Sequence, residues 1–158
     1  MIESDGGIDF RPEFASFGSR ALGLLVDVGV LTLLTLPGWL LMLSGSTGGI
    51  VVGVMLVFAG FALATVLYAR SVARTGQWFG NRVAGTKVVD ARNGRSVSAG
   101  DAGARFVTRH VVSPVLFVGF LMALGNAQRR TFHDNVAGTV VTRPPRATWS
   151  IDDETPAP

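Results

Sequence analysis

One acidic residue interrupts the apolar run "ALGLLVDVGVLTLLTLPGWLLML" at positions 21–43, and it is Asp27. A carboxylate at the centre of a membrane helix costs roughly 2.5 to 3.5 kcal/mol on insertion-based scales. It therefore needs a cation beside it, a proton, or a water-filled cavity. Two chemistries follow: an ion pair that locks helices together, or a proton or cation site. Arg20 stands on the same helical face but two turns earlier, about 10.5 Å along the axis. At a helix start its guanidinium is expected to snorkel towards lipid phosphate. Arg105, Arg109 and His110, entering from a third apolar segment, are the better candidate partners for Asp27.

A second constellation is His133-Asp134. Adjacent residues on a helix do not face one another, so the dipeptide is weak evidence for catalysis. Asp134 reads instead as a cap or salt bridge of an interfacial turn. The chain has no cysteine, no nucleophile motif, no set of metal-spaced ligands and no glycine-rich phosphate loop after a strand. The expectation is a protein that is not an enzyme and holds neither cofactor nor metal.

The elements that must position these residues are dictated by hydropathy. The 158 residues are 48% hydrophobic and only 16% charged, with mean hydropathy +0.41, too apolar for a soluble domain of this size. A hydrocarbon core of about 30 Å needs about 20 apolar residues. Residues 21–43 and the uncharged run 50–69, "IVVGVMLVFAGFALATVLYA", both meet that length. Pro37 and Gly38 are expected to kink or end the first helix near the interface, with Trp39 at headgroup level. Residues 1–12 are acidic and polar and lack the pattern of a cleavable signal peptide.

Net charge is +3, and Lys87 is the only lysine. Arginine dominance with abundant glycine and alanine is the composition of a GC-rich bacterial genome. The arginines flank apolar segments rather than line one soluble face, which argues against nucleic acid as a partner. Residues 70–105 hold Arg70, Arg74, Arg82, Lys87, Arg92, Arg95 and Arg105, whereas the turn between the first two helices has no basic residue. By the positive-inside rule the loop and the N-terminus are cytoplasmic. Localisation to a bacterial plasma (inner) membrane is expected.

Within the loop, Arg70, Val72, Arg74, Trp78, Phe79 and Val83 suit a helix lying in the interface. Asn93-Gly94 in "TKVVDARNGRSVS" is a hairpin signal. Ser98 and Asp101 resemble the cap of a further helix. The third apolar stretch, residues 111–125, spans only about 22 Å as a helix, contains Pro114 and Gly119, and carries arginine on both flanks. It is read as broken or re-entrant, with a third full span as the alternative.

Two segments say the same thing twice: "FGNRVAGTKVV" (79–89) and "FHDNVAGTVVT" (132–142). Equivalent segments belong in equivalent surroundings, so "GTKVV" and "GTVVT" are expected to neighbour each other in one small cytoplasmic sheet. That favours a cytoplasmic C-terminus. Gly49 and Gly53, with Gly60 and Ala64, are small-residue pairs four apart on the second helix and allow close helix packing. The proline-rich tail 144–158 is expected to be disordered or partner-bound; an idle tail is the default reading, and Trp149 with Ile151 as a short docking element is the alternative.

Arg20 at the first helix start, Asp27 within it and Asp134 in "FHDNVAGTVV" together resemble the RDD family of small membrane proteins, named for one arginine and two aspartates. "GQWFGNRVAGTKVVD" (76–90) is similar to that family's loop motif. Asn81-Arg82 departs from the basic pair common there. The resemblance implies membrane residence. Because a few such proteins are associated with sodium/proton antiport, it also implies cation or proton roles for Asp27 and Asp134 as one option.

The sequence thus predicts an all-α membrane protein. It has two transmembrane helices, a third broken, re-entrant or spanning apolar helix, and a small cytoplasmic β-hairpin or sheet element. A polar segment 1–15 precedes a membrane domain 16–143, with helices near 19–43, 49–69 and 103–125, a loop 70–102, and the second repeat at 130–142. The favoured function is a non-catalytic accessory or assembly subunit of a larger membrane complex, a respiratory complex being one candidate. The alternative is an oligomeric monovalent cation/proton antiporter. Membrane lipid and either a larger complex or a homo-oligomer are the expected partners.

Overall fold

The computed structural model describes residues 13–112 and 130–143. The polar residues 1–12, most of the third apolar stretch and the tail 144–158 lie outside the described residues.

The two apolar runs form α1 (Phe17–Met42) and α2 (Thr47–Thr75). Each opens on a serine whose hydroxyl accepts one of the first unpaired N–H groups. Ser16 takes that of Ser19 at 3.3 Å, and Ser46 that of Gly49 at 3.1 Å. Both helices are long and apolar enough to cross a membrane. Their outer faces stay bare: Leu25, Leu33, Met55 and Phe58 are 65–71% exposed. A continuous apolar belt of this kind is stable against lipid, not water.

One boundary matches the sequence reading and one corrects it. First, α1 runs through Pro37-Gly38 to Met42, in line with the expected helix near 19–43. There Gly38 lies against α2 so closely that a methyl on it would meet Gly53 O at 2.5 Å, and packing between the helices holds the segment in place. Second, Arg70 and Arg74 do not belong to a separate interfacial helix, because α2 carries them to Thr75. Tyr68, Ala69 and Val72 extend the buried stripe past the apolar run and stabilise the extra turns. Gly76 then stops the helix at φ +71°, with its N–H on Val72 O at 2.8 Å.

The small residues of α2 serve this intramolecular hairpin. A methyl on Gly53 would lie 2.6 Å from Gly38 O, one on Gly60 2.7 Å from Leu34 O, and Ala64 is fully covered. Gly49 packs into the turn, against Ser46 and Leu41.

The remaining elements gather at the end of the hairpin where α1 begins and α2 finishes. They are α3 (Phe79–Val83), β1 (Lys87–Asp90), α4 (Ala99–Val107), a π-helical turn (Thr108–Val112), α5 (Phe132–Val136) and β2 (Thr139–Thr142). β1 and β2 pair antiparallel with Val88 opposite Val141 and Val89 opposite Val140, the pairing expected from the repeats. Phe14 bridges to Thr142, and Ala15 N–H donates to Val141 O at 3.0 Å, so the residues entering α1 join the same layer.

The Asn93-Gly94 hairpin does not form as a strand pair. The partner of β1 is β2, and residues 91–94 are a turn closed by Asp90 N–H on Arg95 O. Four residues of a strand that bury two valines gain more from the apolar β2 than from the polar "RSVS". Ser98 does cap α4, its hydroxyl accepting Asp101 N–H at 3.1 Å. Beneath these elements the core is Tyr68, Val72, Trp78, Val88, Phe106 and Val141, with the Tyr68 and Phe106 rings 4.9 Å apart.

Candidate functional site

The repeats build equivalent units around the site. Each begins with a five-residue helix, turns at a left-handed glycine (Gly85 φ +61°, Gly138 φ +62°) and runs into a strand. The third helical residue faces back to cap its own helix in both. Asn81 Oδ1 accepts Trp78 N–H at 3.4 Å; Asp134 Oδ2 accepts Thr131 N–H at 3.0 Å and the Thr131 hydroxyl at 2.7 Å. The repeat therefore encodes a capped turn, and the one chemical difference at this position is amide against carboxylate.

That difference decides who binds the charges. Arg20, Gly23 and Asp27 share the buried face of α1. Asp134 receives Arg20, Nη1 to Oδ2 at 2.6 Å, and Arg105, whose Nη1 pairs with Oδ1. Arg105 is held in place by donating Nε to Tyr68 Oη at 3.2 Å and Nη1 to Thr139 Oγ1 at 3.0 Å. Asp27 receives Arg109, Nη1 to Oδ2 at 2.9 Å, and the backbone N–H of Gly80 on Oδ1 at 2.8 Å. All five charged side chains are under 9% exposed.

Of the candidate partners for Asp27, the structure thus places only Arg109 on it. Arg105 goes to Asp134, and His110 turns away, its Nδ1 on Phe106 O at 2.9 Å and its ring 4.2 Å from the Phe106 ring. Arg20 does not snorkel. α5 covers it and supplies a carboxylate at shorter range than lipid phosphate, so its guanidinium stays inside the protein. His133 is buried beside Thr131, Nε2 to Oγ1 at 2.9 Å. Burial first, then the fields of Arg105, Arg109 and Arg20, hold its imidazole well below the usual range and therefore neutral.

Sequence reasoning did not single out Gly80, Tyr68, Thr131 or Thr139. Gly80 can approach α1 only because it has no side chain; a methyl there would collide with Gly23 O and the Asp27 carboxylate. The alignment of the two repeats held a signal for Thr139, since it matches Thr86, which accepts from Asn81 Nδ2 at 3.1 Å in the first unit. Among the described residues no three His, Asp or Glu side chains converge as a metal site requires.

The arrangement is one arginine and two aspartates, with a further arginine on each aspartate: Arg105 on Asp134 and Arg109 on Asp27. A family model described as the RDD family matches residues 14–138, most of the chain and the whole of this cluster except β2. The chain belongs to the RDD family. Comparison with curated proteins and with solved structures returned no match. With two apolar helices able to span, this RDD chain is a membrane protein, and the matched residues include the buried ion pairs Arg20–Asp134 and Arg109–Asp27. Arg20 and Asp134 stand 114 positions apart, yet their side chains make a direct salt bridge. Arg20 on Asp134 and Asp27 on Gly80 N–H join α1 to both repeats.

Proposed function

We propose that the chain is a non-catalytic accessory or assembly subunit of a larger complex in the bacterial plasma membrane, a respiratory complex being one candidate. The observation that carries this reading is the state of Asp27. Its two oxygens are taken by Arg109 and by Gly80 N–H, both from elements that wrap the start of α1. A transported cation would have to displace a buried guanidinium, at a cost of several kcal/mol per unpaired ion. The charges hold a scaffold, and the scaffold presents two long lipid-exposed apolar faces to a bilayer or to a neighbouring membrane subunit.

The sheet adds the orientation. Strands that exchange hydrogen bonds lie on one side of a bilayer, so Phe14, β1 and β2 share a side. The basic residues of 70–105 make that side the cytoplasmic one.

Mild-detergent affinity purification of the tagged protein, followed by mass spectrometry and sizing, tests the reading. Co-purification of a larger membrane complex in near-equal amount is expected. Recovery of the chain only as a discrete oligomer, together with cation/proton exchange in proteoliposomes that disappears in Asp27→Asn at normal abundance, would overturn it in favour of the antiporter.

A further inference from the structure

The short helix α3 sits at a definite depth. Its Gly80 packs on Gly23, where an added methyl would lie 3.2 Å from Gly80 O, and the Gly80 N–H reaches Asp27. The apolar run of α1 starts at Ala21, so at 1.5 Å per residue α3 lies about 3–9 Å inside the start of that run. Amphipathic helices rest at that depth, where headgroups give way to acyl chains. The outward face of α3 suits it: Phe79 and Val83, one turn apart, are 50% and 61% exposed.

Four cations stand at the same end of the hairpin. Gly60 meets Leu34 across it, and an equal count of residues from that contact brings Ser71 of α2 level with Gly23 of α1. Arg70 and Arg74 flank Ser71 on one face of α2 and are both exposed. The chain folds back on this turn, because the hydroxyls of Ser71 and Thr75 donate to Gln77 O at 2.7 and 3.1 Å and so seat the start of α3 there. Lys87 lies over the end of α2, since a methyl on Gly76 would meet its Cγ and Cε at 2.6 Å. Arg82 stands next to Val83 on α3, and it and Lys87 are exposed too. Cations at the rim of an apolar belt match lipid phosphate in charge and in donor geometry.

We propose that this face binds an anionic phospholipid: Arg70, Arg74, Arg82 and Lys87 hold the headgroup phosphate, and Phe79 and Val83 lie against the first methylenes of the acyl chains. A free phosphate would leave the two apolar side chains against water. A zwitterionic lipid would bring an ammonium group among like charges. Phe79 and Val83 also add to the apolar belt of α1, on which α3 is seated. The site goes beyond the assembly reading and rests only on membrane residence, because all of its residues come from one chain.

The test uses the full-length protein in an uncharged detergent. Phosphatidylglycerol or phosphatidylcholine is added, the unfolding temperature is followed, and lipid retained through gel filtration is counted by mass spectrometry. The expected result is a saturable rise of several degrees with phosphatidylglycerol only, and a several-fold excess of that lipid retained. Combining Arg70→Gln, Arg74→Gln, Arg82→Gln and Lys87→Gln should abolish the response and leave the unfolding temperature without lipid near the wild-type value. Arg92→Gln with Arg95→Gln, which removes exposed cations of the turn after β1, should keep the response. If the combined variant does not fold, Arg74→Gln with Arg82→Gln takes its place, and a marked loss of retained phosphatidylglycerol is expected. Equal effects of the two lipids, or a response lost as fully in the Arg92 and Arg95 variant, would overturn the site. Inorganic phosphate matching phosphatidylglycerol would overturn the assignment to a lipid.

Discussion

Arg109 and Asp27 are 82 residues apart in the chain and 2.9 Å apart in space, and their pairing joins the π-helical turn after α4 to the third turn of α1. The carboxylate that would be costly in an apolar helix is thereby converted into a helix–helix tether. Its worth is best judged by what its removal leaves behind.

Asp27→Ala should destabilise the fold by about 3–5 kcal/mol, because it strands a buried guanidinium. Pairing it with Arg109→Met should recover a large part of that loss, since both charges are then gone. Detergent-solubilised unfolding of the two singles and the double variant checks this. A double variant no better than the worse single would mean that the pair is not the relevant unit.

Gly80→Ala tests the close approach of α3 to α1. A methyl at Gly80 meets Gly23 O and the Asp27 carboxylate, so α3 must move away and the Gly80 N–H bond to Asp27 must break. A loss of at least about 2 kcal/mol is expected. Gly29→Ala, where a methyl meets nothing within 4 Å, serves as the control and should be neutral or stabilising by up to about 1 kcal/mol.

His133 predicts a pH dependence. In the folded protein its imidazole stays neutral well below 6.5, whereas in the unfolded chain it takes up a proton near that value. Protons therefore bind preferentially to the unfolded state, and stability present above pH 6.5 is lost as the pH falls, by up to about 1.4 kcal/mol per unit. His133→Gln should make the profile shallower between pH 7 and 5. A variant profile as steep as the wild type would assign the acid sensitivity elsewhere.

The sheet predicts topology. Because β1 and β2 are hydrogen-bonded to each other, reporters that work only in the cytoplasm should be active both when inserted at Asn93-Gly94 and when fused to the C-terminus. A loop insertion that is active beside a stable but inactive C-terminal fusion would break the paired-repeat architecture and restore a three-span chain.

Much of this was readable from residues alone, for identifiable reasons. The two long helices follow from hydropathy, a local property summed over each run, and the β1–β2 pairing follows from the repeat, since equal segments take equal folds. The Asn93-Gly94 hairpin failed because turn propensity is a local preference of small size. The apolar β2, which returns from far along the chain, offers β1 a better partner. The end of α2 failed for the same kind of reason: Tyr68 and Val72 are buried by α4 and α3, which hydropathy of the run cannot register.

Residue type and place marked Asp27 as a charge that needs a partner, while Arg20 was expected to snorkel to lipid and Asp134 to cap or salt-bridge a turn. Only the tertiary structure decided the pairing. Arg20 and Asp27 share a helix face two turns apart, too far for a direct contact, so each must find its counter-charge on whatever element folds over it. α5 brings Asp134 to Arg20, and the turn after α4 brings Arg109 to Asp27. Long-range electrostatic pairing depends on distances that chain folding sets, and no spacing along the chain encodes them.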